Sequence, residues 1–276
     1  MEANIENIKN FWNNNPLYYG EVPHKIGSKE YFDQIREIFI KDLFPGEFDE
    51  RIIPKNLKSS RVLDLGSGPG LYTRILYEYG CRDLYSADLT IQANQLVEML
   101  CNTFKYTGVK ICNENAEKLT FEDNFFDHVH CSGVIHHTEN PNDCYSEISR
   151  VLKKNGTAVI GVYYYNFILR NWKILQPLVN SIGYLQPNLK GRGRGGIFKI
   201  KDVSEVIRLF DGESNPKGIA YRKNEIISIL NKYFKIDDTY LHYFPMRTLN
   251  IKLPNYIHRF LDSNFGFMIY LNCTKK

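Results

Sequence analysis

The sequence lacks the features that mark membrane and secreted proteins. No stretch approaches the roughly 18 apolar residues of a membrane span, and the richest one, 157–169, is interrupted by Tyr and Asn. The first residues show neither the basic region nor the apolar region of a secretory signal. We therefore expect a cytoplasmic protein that does not bind a membrane.

Metal-binding cysteine pairs and a strong charge surplus are also missing. The six cysteines lie far apart without a Cys-x-x-Cys pair, so we expect reduced thiols and no metal site. The 35 basic and 31 acidic residues leave a formal charge of only +4. The basic residues are scattered without an aromatic-basic stripe, so no nucleic-acid partner is predicted.

Aromatic residues are abundant, although tryptophan is scarce. They make up 14% of the chain, with 19 Tyr and 17 Phe but only 2 Trp. A buried tyrosine hydroxyl requires a hydrogen-bond partner, so a core has limited use for this residue. The surplus predicts that some tyrosines line a binding site.

Hydrophobic periodicity divides the 276 residues into a helical beginning and an alternating remainder. Ile5, Ile8, Phe11 and Trp12 keep helical spacing, and residues 31–44 carry a second apolar helical face. From about residue 58, short apolar strands alternate with amphipathic helices. This rhythm predicts an α/β fold with a doubly wound, mostly parallel sheet covered on both faces.

The predicted organisation is an N-terminal helical arm, 1–57, followed by one α/β domain, 58–276. The predicted strands are 61–65, 83–88, 110–113, 128–132, 157–164, 236–243 and 267–273, and the predicted helices between them are 71–79, 91–104, 143–152 and 224–233. We predict 166–203 to be irregular, apart from helical residues that begin at its end. Because 166–222 follows a strand's carboxyl end, it is interpreted as an inserted lid over the ligand-binding crevice.

A glycine-rich turn follows the first predicted strand. Gly66, Gly68 and Gly70 alternate with other residues and open a helix, a pattern that lets a ligand approach the backbone closely. The dinucleotide fingerprint needs glycine at position 71, where Leu71 stands, which disfavours a nicotinamide oxidoreductase. Asp64, two residues before the first glycine, can accept a hydrogen bond from the amino group of an amino-acid-like ligand.

Two further strand ends carry polar residues. Asp88 ends the second strand, where an acid in nucleotide-binding α/β folds bonds the ribose hydroxyls. Asn115 and Ala116 follow the third strand, where an adenine ring would lie. The turn, the two acids and their spacing together indicate a nucleoside ligand that also carries an amino group.

With these motifs, residues 58–165 resemble the class I S-adenosylmethionine-dependent methyltransferases. The matching segments are Asp-Leu-Gly-Ser-Gly-Pro-Gly at 64–70, Asp-Leu-Thr at 88–90, Asn-Ala-Glu-Lys-Leu-Thr-Phe at 115–121 and Gly-Val-Ile-His-His-Thr at 133–138. The resemblance implies a seven-stranded Rossmann-like sheet with an antiparallel last strand, and S-adenosylmethionine as cofactor. It implies cofactor contacts at Asp64, Gly66, Gly68, Gly70, Asp88, Leu89, Asn115, Ala116 and Ser132. The family usually has Asp where Asn115 stands.

Two adjacent histidines follow the fourth strand, beside the reactive end expected for the methyl donor. Imidazole suits a general base near neutral pH, which makes His137, and after it His136, candidate catalytic residues. The alternative is that one ring packs under the donor while the other orients the loop. No Asn/Asp-Pro-Pro-Tyr motif or metal-binding Asp follows this strand, so neither DNA-base methylation nor metal dependence is predicted.

Tyrosines can attract the sulfonium through their ring faces. We predict that Tyr18 and Tyr19 from the arm contact the donor, and that Tyr165, at the fifth strand's end, is a catalytic-pocket residue. Core packing is the alternative for each.

Other residues are candidates for acceptor binding. Arg192 and Arg194 lie in a glycine-rich loop that can clamp an anionic acceptor or simply be solvated. His242 and Tyr243 end the sixth strand and are further candidates for the acceptor pocket.

The predicted function is methyl transfer to a small-molecule acceptor in small-molecule biosynthesis, by in-line displacement. The alternative uses the same donor site for intramolecular cyclisation or aminocarboxypropyl transfer, which releases methylthioadenosine. A non-catalytic sensor that binds the donor is a third interpretation.

Overall fold

A seven-stranded sheet forms the centre of the computed structural model, which describes residues 3–45, 47–185, 199–244 and 253–276. The strands are β1 Arg61–Leu65, β2 Asp83–Asp88, β3 Lys110–Asn113, β4 Phe126–Ser132, β5 Leu152–Tyr163, β6 Phe234–His242 and β7 Met268–Lys275. Their order is β3-β2-β1-β4-β5-β7-β6. β1 to β5 pair in parallel, whereas β7 runs antiparallel to both of its neighbours. The predicted fold class is confirmed.

Ten labelled helices surround the sheet in the part of the chain that is described. They are α1 Ile5–Asn14, α2 Lys29–Leu43, α3 Leu71–Glu78, α4 Ile91–Phe104, α5 Pro141–Val151, α6 Phe167–Arg170, α7 Trp172–Leu185, α8 Val203–Arg208, α9 Lys223–Leu230 and α10 Asn255–Phe265. The local sequence explains where several of these helices begin. Thr90, for example, caps α4 because its hydroxyl accepts from the Ala93 amide, and Pro141 opens α5 at a position where a missing N–H costs nothing.

Alternation along β5 shows how the sheet buries apolar side chains on both faces. Ala158, Ile160 and Val162 join one apolar cluster, while Val159 and Tyr163 join another. Successive side chains of a strand point to opposite faces, so the two clusters lie on opposite sides of the sheet. Both faces are therefore covered, as a parallel sheet requires.

The predicted helical arm forms helices that pack against this core. In α2 the side chains of Tyr31, Ile35, Phe39 and Leu43 are buried, which is the face that the periodicity predicted. The amide of Ile5, at the start of α1, donates to Glu139 of the segment after β4, at 2.8 Å. Hence α1 is anchored beside the carboxyl ends of the strands.

The irregular structure predicted for 166–203 is wrong, because α6 and α7 lie there. Pro177 inside α7, and the exposed apolar side chains of Ile174 and Leu178, obscured the helical period. Helix α10 was likewise not predicted. The limits 1–57 and 58–276 and the lid at 166–222 stay predictions. No described helix is long and apolar enough to cross a membrane.

Candidate active site

A cavity opens at the carboxyl ends of the parallel strands and has two unlike halves. The first, here called the glycine half, is lined by the turns after β1 to β4, at 65–69, 88–90, 114–116 and 132–134. The second, here called the aromatic half, is lined mainly by ring side chains from distant segments: Trp12, Tyr18, Phe39, Tyr72, His137, Tyr163, Phe210, Tyr243 and Tyr270. The two halves form one continuous cavity.

Gly66 shows why the turn after β1 needs glycine. Its amide donates to the Ala87 carbonyl oxygen at 2.7 Å. Its φ is +76°, a backbone conformation that residues with a side chain rarely adopt. A Cβ at this position would lie 2.1 Å from Cγ2 of Val134 in the loop after β4. Gly68 also has positive φ and lines the cavity, whereas Gly70 caps α3 outside the lining and faces Leu100.

Asp88 is fixed where β2 ends and lines the cavity. One carboxylate oxygen accepts from the Gly68 amide at 3.0 Å, and the other accepts from the amide and hydroxyl of Thr90 at 2.9 and 2.8 Å. Burial raises the pKa of Asp88, and these hydrogen bonds limit the rise. The carboxylate is thus held rigidly at the glycine half, with remaining lone pairs for a ligand.

Asp64 lies behind the turn rather than in the lining. Its carboxylate accepts from the Thr73 hydroxyl at 2.6 Å, and only 1% of the residue is exposed. Burial raises its pKa to about 7, with hydrogen bonds to Thr73 opposing and the charge of Asp88 adding to the shift. The structure therefore does not bring Asp64 to the cavity with Asp88.

The other predicted cofactor residues of the sheet do reach the cavity. Leu89, Asn115, Ala116 and Ser132 all line it. The Ser132 hydroxyl is 3.0 Å from the Tyr270 hydroxyl, which is 2.9 Å from that of Tyr72. This chain of hydroxyls joins the glycine half to the aromatic half.

His137 lines the cavity within a network that sequence reasoning did not find. Its Nδ1 is 2.7 Å from the Lys217 carbonyl oxygen, and its Nε2 is 3.3 Å from Oδ2 of Asp211. The Tyr163 hydroxyl donates to that same Oδ2 at 2.6 Å. Trp12 from α1 packs its edge on the imidazole, with ring centroids 4.9 Å apart.

No local signal links the partners of this network. Asp211 lies 74 positions after His137 in the segment that was interpreted as a lid, and Tyr163 lies two positions before Tyr165, the predicted pocket residue. Because side chains alternate along a strand, residues two apart share a face, and position alone does not separate these two tyrosines.

His136 is completely buried and does not line the cavity. Its ring lies against Tyr163, with centroids 3.8 Å apart, and neither ring nitrogen has a hydrogen-bond partner among the described residues. Burial, with His137 adding to it, holds the pKa of His136 far below the ordinary value, so the ring is neutral. Of the two candidate bases, the geometry supports His137.

Tyr18 and Tyr243 line the aromatic half with unusual backbone conformations. Their φ values are +62° and +71°, a region that bulky residues seldom occupy and that clusters at functional sites. The structure does not bring Tyr19 or Tyr165 to the lining. Tyr19 is 44% exposed, and Tyr165 is half-buried with the guanidinium of Arg222 5.4 Å from its ring centroid.

The remaining acceptor candidates lie elsewhere. His242 is buried away from the lining, with Nδ1 2.7 Å from Asp262 and Nε2 2.9 Å from Asp49. Arg192 and Arg194 lie outside the described residues.

The described lining is rich in carboxylates. They belong to Glu21, Asp42, Asp88, Glu114 and Asp211, and this described set includes no lysine or arginine. Within the described ranges, no group of His, Cys, Asp and Glu is arranged to hold a metal ion.

Part of the chain is similar to known sequences. Residues 63–160 match the family described as a methyltransferase domain. A curated relative, the uncharacterized methyltransferase YcgJ of Bacillus subtilis, is 27% identical over 104 residues, which are 38% of this chain and 41% of the relative. The matched segment thus spans less than half the length of that relative.

Solved structures resemble almost the whole chain at low identity. The PH0226 protein from Pyrococcus horikoshii is 20% identical, with 94% of this chain and 98% of that chain covered and a TM-score of 0.54. Magnesium protoporphyrin IX methyltransferase from Synechocystis, crystallised with bound SAH, is 12% identical, with 98% of both chains covered and a TM-score of 0.53. These likenesses show the shared fold.

Proposed function

We propose, from the premise that this chain carries a class I S-adenosylmethionine-dependent methyltransferase domain, that it methylates a small molecule. The acceptor would occupy the aromatic half while the donor occupies the glycine half. The observation that supports this assignment is the continuity of the cavity from Asp88 to His137. Both ligands can thereby meet in one site.

The residues of the glycine half fit S-adenosylmethionine. Asp88 offers fixed carboxylate oxygens to the ribose hydroxyls, and Asn115 and Ala116 border the place expected for adenine. The Ser67 hydroxyl is buried in the lining without a hydrogen-bond partner among the described residues, which suits a polar group of the donor's amino-acid portion. When bound, the donor supplies a methyl group activated by its positive sulfur.

The chain's own contribution is alignment and exclusion of water. In-line displacement requires the acceptor atom close to the methyl carbon, and a well-positioned pair gains much of its rate from proximity. Aromatic faces also attract a sulfonium by about 0.5–2 kcal/mol, depending on how dry the site is. Trp12 and Tyr18 from the N-terminal segment help to close the cavity and keep water away.

The lining also favours one kind of acceptor. Aromatic rings make up most of the lining of the aromatic half, so a planar, largely apolar molecule matches this half best. The carboxylates Glu21, Asp42 and Asp211 would repel an anion. We favour an uncharged or cationic acceptor; the anionic acceptor suggested by Arg192 and Arg194 depends on residues outside the described ranges.

Calorimetry of S-adenosylhomocysteine binding tests the donor site. Replacing Asp88 by Asn removes a charged acceptor worth about 1.5–3 kcal/mol and is expected to weaken binding roughly 10- to 100-fold. Asp83 begins the same strand and pairs with Arg61 and Lys110 away from the cavity, which makes Asp83→Asn the matched control. Unchanged affinity in Asp88→Asn would show that the site is misplaced.

Product analysis separates methyl transfer from the alternatives. With S-adenosylmethionine and a panel of planar acceptors, we expect S-adenosylhomocysteine to accumulate. Methylthioadenosine instead would indicate displacement at the other carbon, as in cyclisation or aminocarboxypropyl transfer. Tight donor binding with no product from any acceptor would favour the sensor.

A further inference from the structure

Exposed hydrophobic side chains are concentrated on three helices. Within the described residues, six large hydrophobic side chains are more than half exposed, and five of the six lie on α6, α7 and α10. These five, here called the apolar face, are 57% to 78% exposed: Phe167, Ile174, Leu178, Tyr256 and Phe260. Single exposed apolar residues are ordinary, but a cluster of them indicates an interaction surface.

The three helices adjoin one another beside the aromatic half of the cavity. The ring centroid of Phe167 lies 6.1 Å from that of Phe265 at the end of α10, and the side-chain amide of Asn166 donates to the Phe265 carbonyl oxygen at 2.8 Å. Only one residue separates α6 from α7. Tyr163 and Met268, which line the aromatic half, lie a few positions from α6 and from α10. The apolar face is therefore at the same end of the sheet as the cavity.

Helix α7 has an apolar side that contacts no other part of the described chain closely enough to be buried. Ile174 and Leu178 are four positions apart, so they lie on the same side of the helix and both are exposed, whereas Trp172 and Gln176 are buried. The exposed pair of α10 repeats the four-residue spacing. Aromatic and aliphatic side chains on one side of a helix are typical of helices that lie flat at a lipid interface.

The charged side chains next to the apolar face are mostly basic. Within the described part of 166–201 no residue is acidic, and four exposed residues are basic: Arg170, Lys173, Lys199 and Lys201. The Trp172 indole N–H donates to the Ile200 carbonyl oxygen at 2.8 Å, which holds the last two lysines beside the start of α7. On α10, Arg259 forms an ion pair with the exposed Glu47. An apolar face bordered by basic groups is complementary to negatively charged lipid headgroups.

A second copy of the chain matches this face less well. Two-fold pairing brings the same patch of both copies into contact. Arg170 and Lys173 would then approach their own counterparts, and like charges across an interface repel. An anionic bilayer instead offers negative charge to the basic groups and an apolar phase to the exposed rings.

We propose that the apolar face docks on the surface of an anionic lipid bilayer, with α7 and α10 at the boundary between headgroups and acyl chains. The expectation of no membrane binding rests on the absence of a span and of a secretory signal, whereas a peripheral face requires neither. Docking does not depend on methyl transfer. Only its consequence for the acceptor rests on the proposed function: a planar, largely apolar acceptor partitions into lipid, and the face lies beside the half of the cavity that would receive it.

Co-sedimentation of the full chain with vesicles tests the docking. Vesicles of phosphatidylcholine and phosphatidylglycerol in equal parts are compared with vesicles of phosphatidylcholine alone. Each basic residue near an anionic surface strengthens binding about fivefold, so two or three of the four should give roughly 25- to 125-fold tighter binding to the mixed vesicles. Added salt should weaken it. Equal binding to both kinds of vesicle, or binding to neither, would overturn the proposal.

The double variant Ile174→Ser/Leu178→Ser removes the apolar part of α7. Both side chains are exposed, so the fold should be kept, and binding to the mixed vesicles should weaken about tenfold or more because less apolar area enters the lipid. Ile91→Ser/Met99→Ser is the matched control, since these exposed residues lie on α4, which packs against β2 and β3. The control should bind as the wild type does. Equal binding by the two double variants would overturn docking through this face.

A pair of lysine variants tests the part played by charge. Lys199→Gln/Lys201→Gln should weaken binding to the mixed vesicles roughly 5- to 25-fold. Lys154→Gln/Lys232→Gln, at exposed positions near the amino ends of β5 and β6, should not. Loss of binding in the first lysine variant together with full binding in Ile174→Ser/Leu178→Ser would show attraction by charge alone, as an acidic protein partner would exert, and would overturn the proposal.

Two further measurements separate the remaining outcomes. Sedimentation equilibrium tests the second copy: a wild-type dimer that becomes a monomer in Ile174→Ser/Leu178→Ser would assign the face to self-association and overturn lipid docking. All four double variants should keep wild-type affinity for S-adenosylhomocysteine, because none of the changed residues lines the cavity. Absence of donor binding in the wild-type protein would contradict the proposed function and leave the vesicle result intact.

Discussion

The two halves of the cavity are built in opposite ways. The glycine half comes from four turns within residues 65–134, each at the end of a neighbouring parallel strand. It combines glycines at positive φ with the carboxylates of Asp88 and Glu114. The aromatic half draws single residues from positions as distant as Trp12 and Tyr270.

The difference separates a part of the cavity whose shape depends on the sheet from a part whose side chains can change. A turn that places amides and a carboxylate at the strand ends suits a ligand that never varies, because the geometry depends on the sheet itself. A wall of separate side chains can be altered one residue at a time without disturbing the sheet. We infer that acceptor specificity is encoded in the aromatic half.

The largest effect is expected from Gly66→Ala, which should disable the glycine half. The added Cβ would collide with Val134 and the residue would be strained at positive φ, so we expect S-adenosylhomocysteine affinity to fall about 100-fold or more by calorimetry. Gly20 has almost the same φ, +74° against +76°, but open space around it. Gly20→Ala therefore carries the strain alone and should bind normally.

A second variant shows whether contact or folding is responsible. Val134→Ala removes the methyl groups that the new Cβ would meet, so the double variant Gly66→Ala/Val134→Ala should regain part of the affinity. Wild-type affinity in Gly66→Ala would contradict the packing described for the turn.

How well each half was predicted follows from the same difference. Gly66, Gly68, Asp88, Asn115 and Ala116 were found from local motifs and all line the cavity, because a turn is determined by neighbouring residues. Asp64 and Gly70 are the exceptions: the carboxylate of Asp64 is hydrogen-bonded to Thr73 behind the turn, and Gly70 caps α3 outside the lining.

The aromatic half was predicted less completely. His137 and Tyr243 were predicted for the acceptor side and Tyr18 for the donor, whereas Tyr163 and Asp211 were not among the predicted site residues; all five line the cavity. The contact between Tyr163 and Asp211 depends on how far β5 extends and on where the chain returns after α8. Neither can be read from a short stretch of sequence. The fold class itself was predictable, because strand and helix periods alternate regularly from β1 to β5.

An intermediate effect should follow from changing the aromatic half alone. Trp12→Ala removes a large lining side chain, and we expect the uncharged dye N-phenyl-1-naphthylamine to bind about tenfold more weakly by fluorescence. S-adenosylhomocysteine affinity should stay within about twofold. The other tryptophan, Trp172, is buried outside the lining with its indole N–H donating to the Ile200 carbonyl, so Trp172→Phe is the control. Equal losses of dye and donor affinity in Trp12→Ala would contradict the independence of the halves.

The smallest effect concerns His242, which belongs to neither half. Burial alone would lower its pKa, but hydrogen bonds and charges from Asp262 and Asp49 outweigh it and raise the pKa above the ordinary value. A raised histidine pKa stabilises the fold fully below about pH 6.5, and that contribution is lost as pH rises through the folded-state pKa. The free energy of unfolding should therefore decline as the pH rises above about 6.5, as urea titrations at each pH can measure.

His242→Gln should flatten this decline, because glutamine does not titrate. At one fixed pH, we expect its affinity for S-adenosylhomocysteine to match the wild type. A decline equally steep in His242→Gln would assign the pH dependence to another group, and His24→Gln serves as the exposed comparison.

The position of β7 also governs the order in which the molecule can assemble. Among the described strands, β6 pairs with β7 alone, and β7 pairs with β5 through contacts that join positions more than 100 residues apart, such as Thr157 and Thr274. Met268 and Tyr270 of β7 line the aromatic half. Closing so long a loop is entropically costly, and non-local pairing slows folding. We therefore expect the turns of the glycine half to form from local units, whereas the aromatic half waits for the most distant pairing in the described sheet.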